Sequence, residues 1–226
     1  MDAKTPSSRE RYRAQVREEI KQHARDQIAT SGVSALSLNA IAKQVGMSGP
    51  ALYRYFASRD DLITALIRDA YRSLAETLRT ELDSGGGVTG LAYAVRAWAL
   101  TDPQRYFLIY GTPIPGYHAP GDTIEISDRV MKVLLEAFAA LPTPQPSTPF
   151  DTHLEHHRHW ASDDSLPTTT LHRAVSFWTR LHGVLSLELA GQFTGMGFDP
   201  TILFADELDT LLPTEHERPT PTKRKR

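Results

Sequence analysis

The sequence predicts an all-α chain built as an N-terminal three-helix helix-turn-helix domain followed by a larger helical C-terminal domain. Three observations carry this expectation. Apolar residues recur at three- and four-residue steps through most of the chain, the period of an amphipathic helix. No segment shows the strict apolar–polar alternation of a half-buried strand. Two short helical patterns lie side by side with only Gly46 and Met47 between one and the cap of the next.

Residues 1–8 read as a disordered lead, and a first helix is expected over 9–30. Tyr12, Val16, Ile20, His23, Ala24 and Ile28 share one face of it, and Gly32 follows as a helix stop. Ser37 is placed to cap a second, short helix through Leu38, Ile41, Ala42 and Val45. Ser48 is placed to cap a third, over 49–56, where Pro50 is tolerated because the first-turn N–H groups have no helical partner. Ser58 caps a fourth helix, with Asp60 and Asp61 in its first turn, running on through Leu62, Leu66, Ala70, Leu74 and Leu78 to about Asp83.

Gly85-Gly86-Gly87 breaks the pattern. Helices are then expected at about 88–101, 103–110 and 122–141, a loop over the proline-rich 142–150, and a short helix or irregular stretch over 151–161. Long helices follow at 169–194 and 199–212. The domain boundaries expected are 9–57 for the helix-turn-helix, 58–83 for a connecting helix, 84–212 for the second domain and 213–226 for a disordered basic tail.

Composition narrows the function classes. The 226 residues are 40% hydrophobic and 23% charged, as in an ordinary globular protein, and contain no cysteine, which excludes disulfides and thiolate metal sites. The first 25 residues have no apolar core of a signal peptide, and no apolar run reaches the roughly 18 residues of a membrane span. A cytoplasmic location is expected. Net charge is −2, unevenly spread: residues 1–60 hold ten Lys/Arg against six Asp/Glu, while 61–222 hold eleven against twenty-one. A basic first quarter on an acidic body points that quarter toward a polyanion.

The helix-turn-helix spacing gives this a geometry. A recognition helix must be slim to enter a major groove about 12 Å wide. Leu52 and Phe56 fall on one face and anchor it to Ile20, Ile41 and Val45, leaving Gly49, Pro50, Tyr53 and Arg54 outward. Such side chains donate to phosphates, stack on sugars or read base edges. The same geometry also occurs in proteins that never touch DNA.

Residues 36–62, running Leu-Ser-Leu-Asn-Ala-Ile-Ala-Lys-Gln-Val-Gly-Met-Ser-Gly-Pro-Ala-Leu-Tyr-Arg-Tyr-Phe-Ala-Ser-Arg-Asp-Asp-Leu, resemble the TetR family of bacterial transcriptional regulators. The resemblance covers 9–80 and implies a double-stranded DNA operator as partner. It implies DNA contacts at Ser37, Ser48, Gly49, Pro50, Ala51, Tyr53, Arg54, Tyr55 and Arg59. Tyr55 stands where the family usually has histidine, Arg59 where it has lysine, and Pro50 where it has a small residue. Pro50 lacks an N–H, which removes one backbone donor. The base-reading surface left is Arg54 with Gly49, Pro50 and Ala51, so part of the specificity is expected from DNA shape.

Phe177-Trp178-Thr179-Arg180-Leu181-His182-Gly183 resembles the Trp-x-x-x-His-Gly pattern that ends one class of TetR-like C-terminal domain, and Asp102-Pro103 with Tyr106, Phe107 and Tyr110 fits the same class. The resemblance implies a homodimer, through about 169–194 and 199–212, and a small-molecule ligand that releases the operator. Trp98, Tyr106, Phe107, Tyr110, Met131, Leu135, Trp178 and His182 are the candidate lining of a largely apolar or aromatic ligand's pocket; a packed core would use the same residues. Trp178, Leu181, Leu185 and Glu188 form a stripe read as core or dimer interface.

His153, His156, His157 and His159 cluster beside Glu155, and the first and third have helical metal-ligand spacing. In a polar, proline-flanked segment they read better as surface, so no metal and no cofactor is expected. A metal-responsive or activating regulator of the same fold is the alternative. An enzyme is the poorer one: there is no Gly-rich phosphate loop, no Gly-x-Ser-x-Gly and no His-Glu-x-x-His.

Overall fold

The computed structural model describes residues 7–142, 148–161 and 163–212. Among these the chain is helical with no strand. The helices are α1 (Ser8–Ser31), α2 (Leu38–Gln44), α3 (Gly49–Tyr53), α4 (Arg59–Asp83), α5 (Gly87–Thr101), α6 (Pro103–Tyr110), α7 (Asp122–Ala139), α8 (Pro149–His156), α9 (Thr168–Leu189) and α10 (Pro200–Leu211), with a 3-10 turn at Val33–Ala35.

Most expected boundaries hold within two residues, and the departures have local causes. α1 begins at Ser8, inside the stretch expected to be disordered. Ser7 accepts from the Glu10 N–H at 3.2 Å and Glu10 accepts from the Ser7 N–H at 2.7 Å, a capping box. The expected disorder of 1–6 and 213–226 lies outside the described residues, as does most of the proline-rich loop. α8 starts at Pro149 because Thr148 and Asp151 form a second capping box. α9 stops at Leu189 rather than 194, where Ala190 and Gly191 turn back onto the Glu188 carbonyl. Gly85, at φ 89°, makes the turn after α4 in a backbone region that favours glycine.

The chain divides into two compact units. One comprises the residues up to Glu76 with Thr101–Val130. The other comprises Thr77–Leu100 with the residues from Met131 on. The division differs from the sequence boundary near residue 84. α6 and the start of α7 belong with the helix-turn-helix: Thr64 and Tyr117 hydroxyls meet at 3.0 Å, and Arg68 pairs with Asp122. The division falls inside α4 and α7 themselves.

In the first unit, Val16, Ile20, Ala24 and Ile28 of α1 pack with Leu38, Ile41, Ala42, Leu52, Phe56, Leu62 and Ile63 in one buried cluster. Tyr12, expected on that face, is 65% exposed, one turn beyond the cluster's last α1 member. In the second unit, α9 packs on α8 and α10. Phe138 and Phe177 meet edge-on at 5.3 Å. Arg96 of α5 forks onto Glu188 of α9, at 2.5 and 3.2 Å, and reaches Thr201 of α10 at 3.1 Å.

Candidate nucleic-acid interface

α2 begins at Ser37, whose Oγ accepts from the Ala40 N–H and whose own N–H donates to Gln27 Oε1 at 2.6 Å. The helix ends in a Schellman turn. Gly46 sits at φ 69° with its N–H on the Lys43 carbonyl, and the Met47 N–H reaches the Ala42 carbonyl at 2.9 Å. Two residues thus reverse the chain, because glycine alone among them takes the left-handed position without a Cβ penalty.

α3 is shorter than expected, five residues rather than eight. It ends at Tyr53, and Arg54 and Tyr55 form a turn in which Tyr55 and Phe56 N–H groups both reach the Leu52 carbonyl. Ser48 stands at the N-cap without a side-chain capping bond, which leaves its exposed hydroxyl to outside partners. Leu52 and Phe56 are almost fully buried and fix the helix to the cluster beneath, as the spacing requires.

Two α1 arginines, absent from the sequence-level site, hold the far end. Arg17 donates to the Tyr55 carbonyl, and its guanidinium lies 4.2 Å from the Phe56 ring centre. Arg13 donates to the Arg54 carbonyl at 3.4 Å. Both contacts span about forty residues of sequence, so no local motif signals them.

Pro50, Tyr53 and Arg54 face outward, Tyr53 with 47% of its surface exposed. Gly49 and Ala51 are half-buried. Tyr55, just past α3, is also half-buried, against the head's apolar cluster, so Tyr53 is the outward tyrosine here. Arg59 departs furthest from expectation. Its guanidinium donates to the Val33 carbonyl at 2.7 Å and the Leu36 carbonyl at 3.3 Å, tying the start of α4 to the turn before α2.

The eight candidate ligand residues fall in both units. Tyr106, fully buried, meets Phe107 at 5.5 Å and Tyr110 at 5.4 Å between ring centres. Burial pushes the Tyr110 phenol's pKa well up. In the other unit Trp98 and Leu135 are buried and Met131 is half-buried. Trp178 and His182 meet edge-on at 4.0 Å, and burial pulls the His182 imidazole down to about 4. His153 and His157 rings stack at 3.9 Å on the exposed side of α8, and His157 Nδ1 lies 2.9 Å from the His153 carbonyl. Among the described residues no group of three or more metal-ligating side chains comes together.

Comparison with known proteins decides the family. Residues 20–66 match the bacterial regulatory proteins of the tetR family, and 88–211 match the tetracyclin repressor-like C-terminal domain. The chain belongs to the TetR family. The HTH-type transcriptional regulator Rv1816 of Mycobacterium tuberculosis is 36% identical over 211 residues, covering 85% of this chain and 88% of the relative. Mb1846 of Mycobacterium bovis matches to the same extent. The crystal structure of SCO4313, described as a regulatory protein, is 64% identical, with a TM-score of 0.87 over 92% of this chain and 99% of that one. A tetR-family structure from Shewanella sp. PV-4, 14% identical with a TM-score of 0.55, shares the fold. This TetR-family chain is a DNA-binding transcriptional regulator, and among its described residues no helix is long and apolar enough to cross a membrane.

Proposed function

We propose that the protein is a homodimeric repressor that reads an operator with paired α2–α3 heads and leaves it when a small, largely apolar ligand binds. The observation that carries the reading is α3. Its inner side is spent on two buried anchors, and its outer side offers Ser48, Pro50, Tyr53 and Arg54 to a groove and its phosphates. Arg54 with the small surface of Gly49, Pro50 and Ala51 reads bases. Ser37, Ser48 and Tyr53 clamp the backbone, and Tyr55 and Arg59 support them from beside and beneath.

Dimerisation through 169–194 and 199–212 is supported by exposed apolar residues in these segments, Leu187 and Ile202, and in the stretch that joins them, Met196 and Phe198. Two heads on such a dimer match half-sites about one DNA turn apart. A ligand favouring another spacing shifts the population off DNA. Its lining is drawn from Trp98, Met131, Leu135, Trp178 and His182, which share the second unit.

Selection of bound DNA from a random pool, followed by salt titrations on the selected and a scrambled duplex, tests this. A two-fold-symmetric site, bound about a thousandfold or more tighter than scrambled DNA, is expected. Similar affinity for both would sink the operator reading.

A further inference from the structure

A cavity of about 570 Å³ opens within the first unit, between α1, α4 and α6. None of the eight candidate ligand residues lines it. Its volume is in the range of small-molecule sites, roughly 300–1,000 Å³. The floor is apolar, from Ile28 and Ala29 of α1, Leu66 and Ala70 of α4, and Leu108 of α6.

The walls are charged, and their carboxylates are already served. Asp69 takes Lys21 Nζ at 2.5 Å, and Glu18 takes both Lys21 and Arg25. Asp26 accepts from the Gln22 amide at 2.9 Å, and Asp102 caps α6 by accepting from the Arg105 backbone N–H at 2.9 Å.

The cations have partners too: Arg25 pairs with Glu18, and Arg105 Nη1 donates to Ser73 Oγ at 3.4 Å. Arg25 enters from α1 and Arg105 from α6, and both line the cavity. Burial pulls the Arg105 pKa down; Asp102 opposes this, and the charge of Arg25 adds to it. Two guanidiniums thus share one partly desolvated space, and the hydrogen bonds of Arg25 use its Nε and Nη2 but leave Nη1 over. An anion between them gains charge-assisted hydrogen bonds and offsets their repulsion. A phosphate lacks the apolar body that the floor would cover.

We propose that this cavity binds a small organic acid, its carboxylate held between Arg25 and Arg105 and its apolar body on Leu66, Ala70 and Leu108. The lining shares no residue with the eight ligand candidates, although Tyr106, Phe107 and Tyr110 stand on the same α6. α1 runs back from Arg25 by about two turns to Arg17 and about three to Arg13, which hold the end of α3. An occupant therefore touches the same helix that braces the recognition element.

Calorimetric titration of the full-length protein with three probes of one body tests the proposal: 3-phenylpropionate, 3-phenyl-1-propanol and 3-phenylpropylammonium. The acid is expected to bind about tenfold tighter than the alcohol, with the amine weakest, as paired charge-assisted bonds imply. Arg105→Gln and Arg25→Gln should each cut the acid-over-alcohol preference to about threefold or less, and Arg105→Lys should keep most of it. Arg25 is one-third exposed, so its glutamine variant keeps the fold. An acid no tighter than the alcohol, a tightest-binding amine, or a preference unchanged in Arg25→Gln would each overturn the site.

Discussion

α3 and α9 are both helices that a regulator depends on, and they are ordered by opposite means. α3 has five residues, far below the length at which a helix holds itself in water. It exists because Leu52 and Phe56 are buried beneath it and Arg13 and Arg17 close its end. α9 has twenty-two residues and a continuous buried face, Leu171, Ala174, Phe177, Leu181 and Leu185. One helix is a surface held in place by other elements. The other is the scaffold itself. In the first, what is not an anchor is free to touch DNA. In the second, the buried face does not say whether a residue serves core, pocket or partner.

The largest expected effect tests the anchoring of α3. Leu52 is fully buried, so Leu52→Ala should cost about 2–5 kcal/mol, the range for deleting a core leucine. Thermal unfolding followed by circular dichroism would show it, and DNA binding should be lost with it. A variant that melts like the wild type would mean α3 is ordered by its own sequence.

Next comes Arg59. Its two bonds to the Val33 and Leu36 carbonyls make it a brace within the head, so Arg59→Ala should lower stability by about 1.5–3 kcal/mol, the net value of hydrogen bonds to a charged group. DNA affinity, measured well below the melting temperature, should fall little and keep its salt slope. Unchanged stability with a slope smaller by about one would restore the direct phosphate contact that the family resemblance implies.

The contrast explains what the sequence made legible. Ser37, Gly46, Leu52 and Phe56 were readable because a cap, a left-handed turn and a four-residue face are local patterns. The role of Arg59 was not, because its acceptors are carbonyls more than twenty residues away, and Arg17 was missed for the same reason. The 3-10 turn at Val33–Ala35 has no side-chain cap to announce it. The organic-acid cavity was invisible because Lys21, Arg25 and Asp26 on α1 look like any solvated face until α6 is laid beside them. In the C-terminal domain the helices were readable from periodicity, but the division of Trp98, Tyr106 and their companions between two units was not.

A smaller effect separates the scaffold from the head by pH. The His182 imidazole is held neutral by burial, with its pKa down near 4 from an ordinary 6.5. Between these values the unfolded chain binds a proton that the folded chain refuses, so stability falls on acidification from pH 6.5 toward 4. The slope is at most about 1.4 kcal/mol per pH unit for one such group. Denaturant titrations from pH 7 to 4.5 should be flatter for His182→Gln than for the wild type. Parallel curves would show that the imidazole is solvated and charges freely.

The smallest effect bears on the outer side of α3. Tyr53→Phe removes one hydroxyl from a side chain that is nearly half exposed, so the fold should be unaffected. If the hydroxyl donates to a phosphate, the loss is about 0.5–1.5 kcal/mol, a few-fold to tenfold in affinity. It should be the same on operator and scrambled DNA, because a phosphate carries no sequence. A loss confined to the operator would move Tyr53 from clamp to base reader and enlarge the reading surface beyond Arg54, Gly49, Pro50 and Ala51. No loss on either duplex would leave Ser37 and Ser48 as the remaining backbone clamps, and the position of α3 over the groove would then rest on its anchors alone.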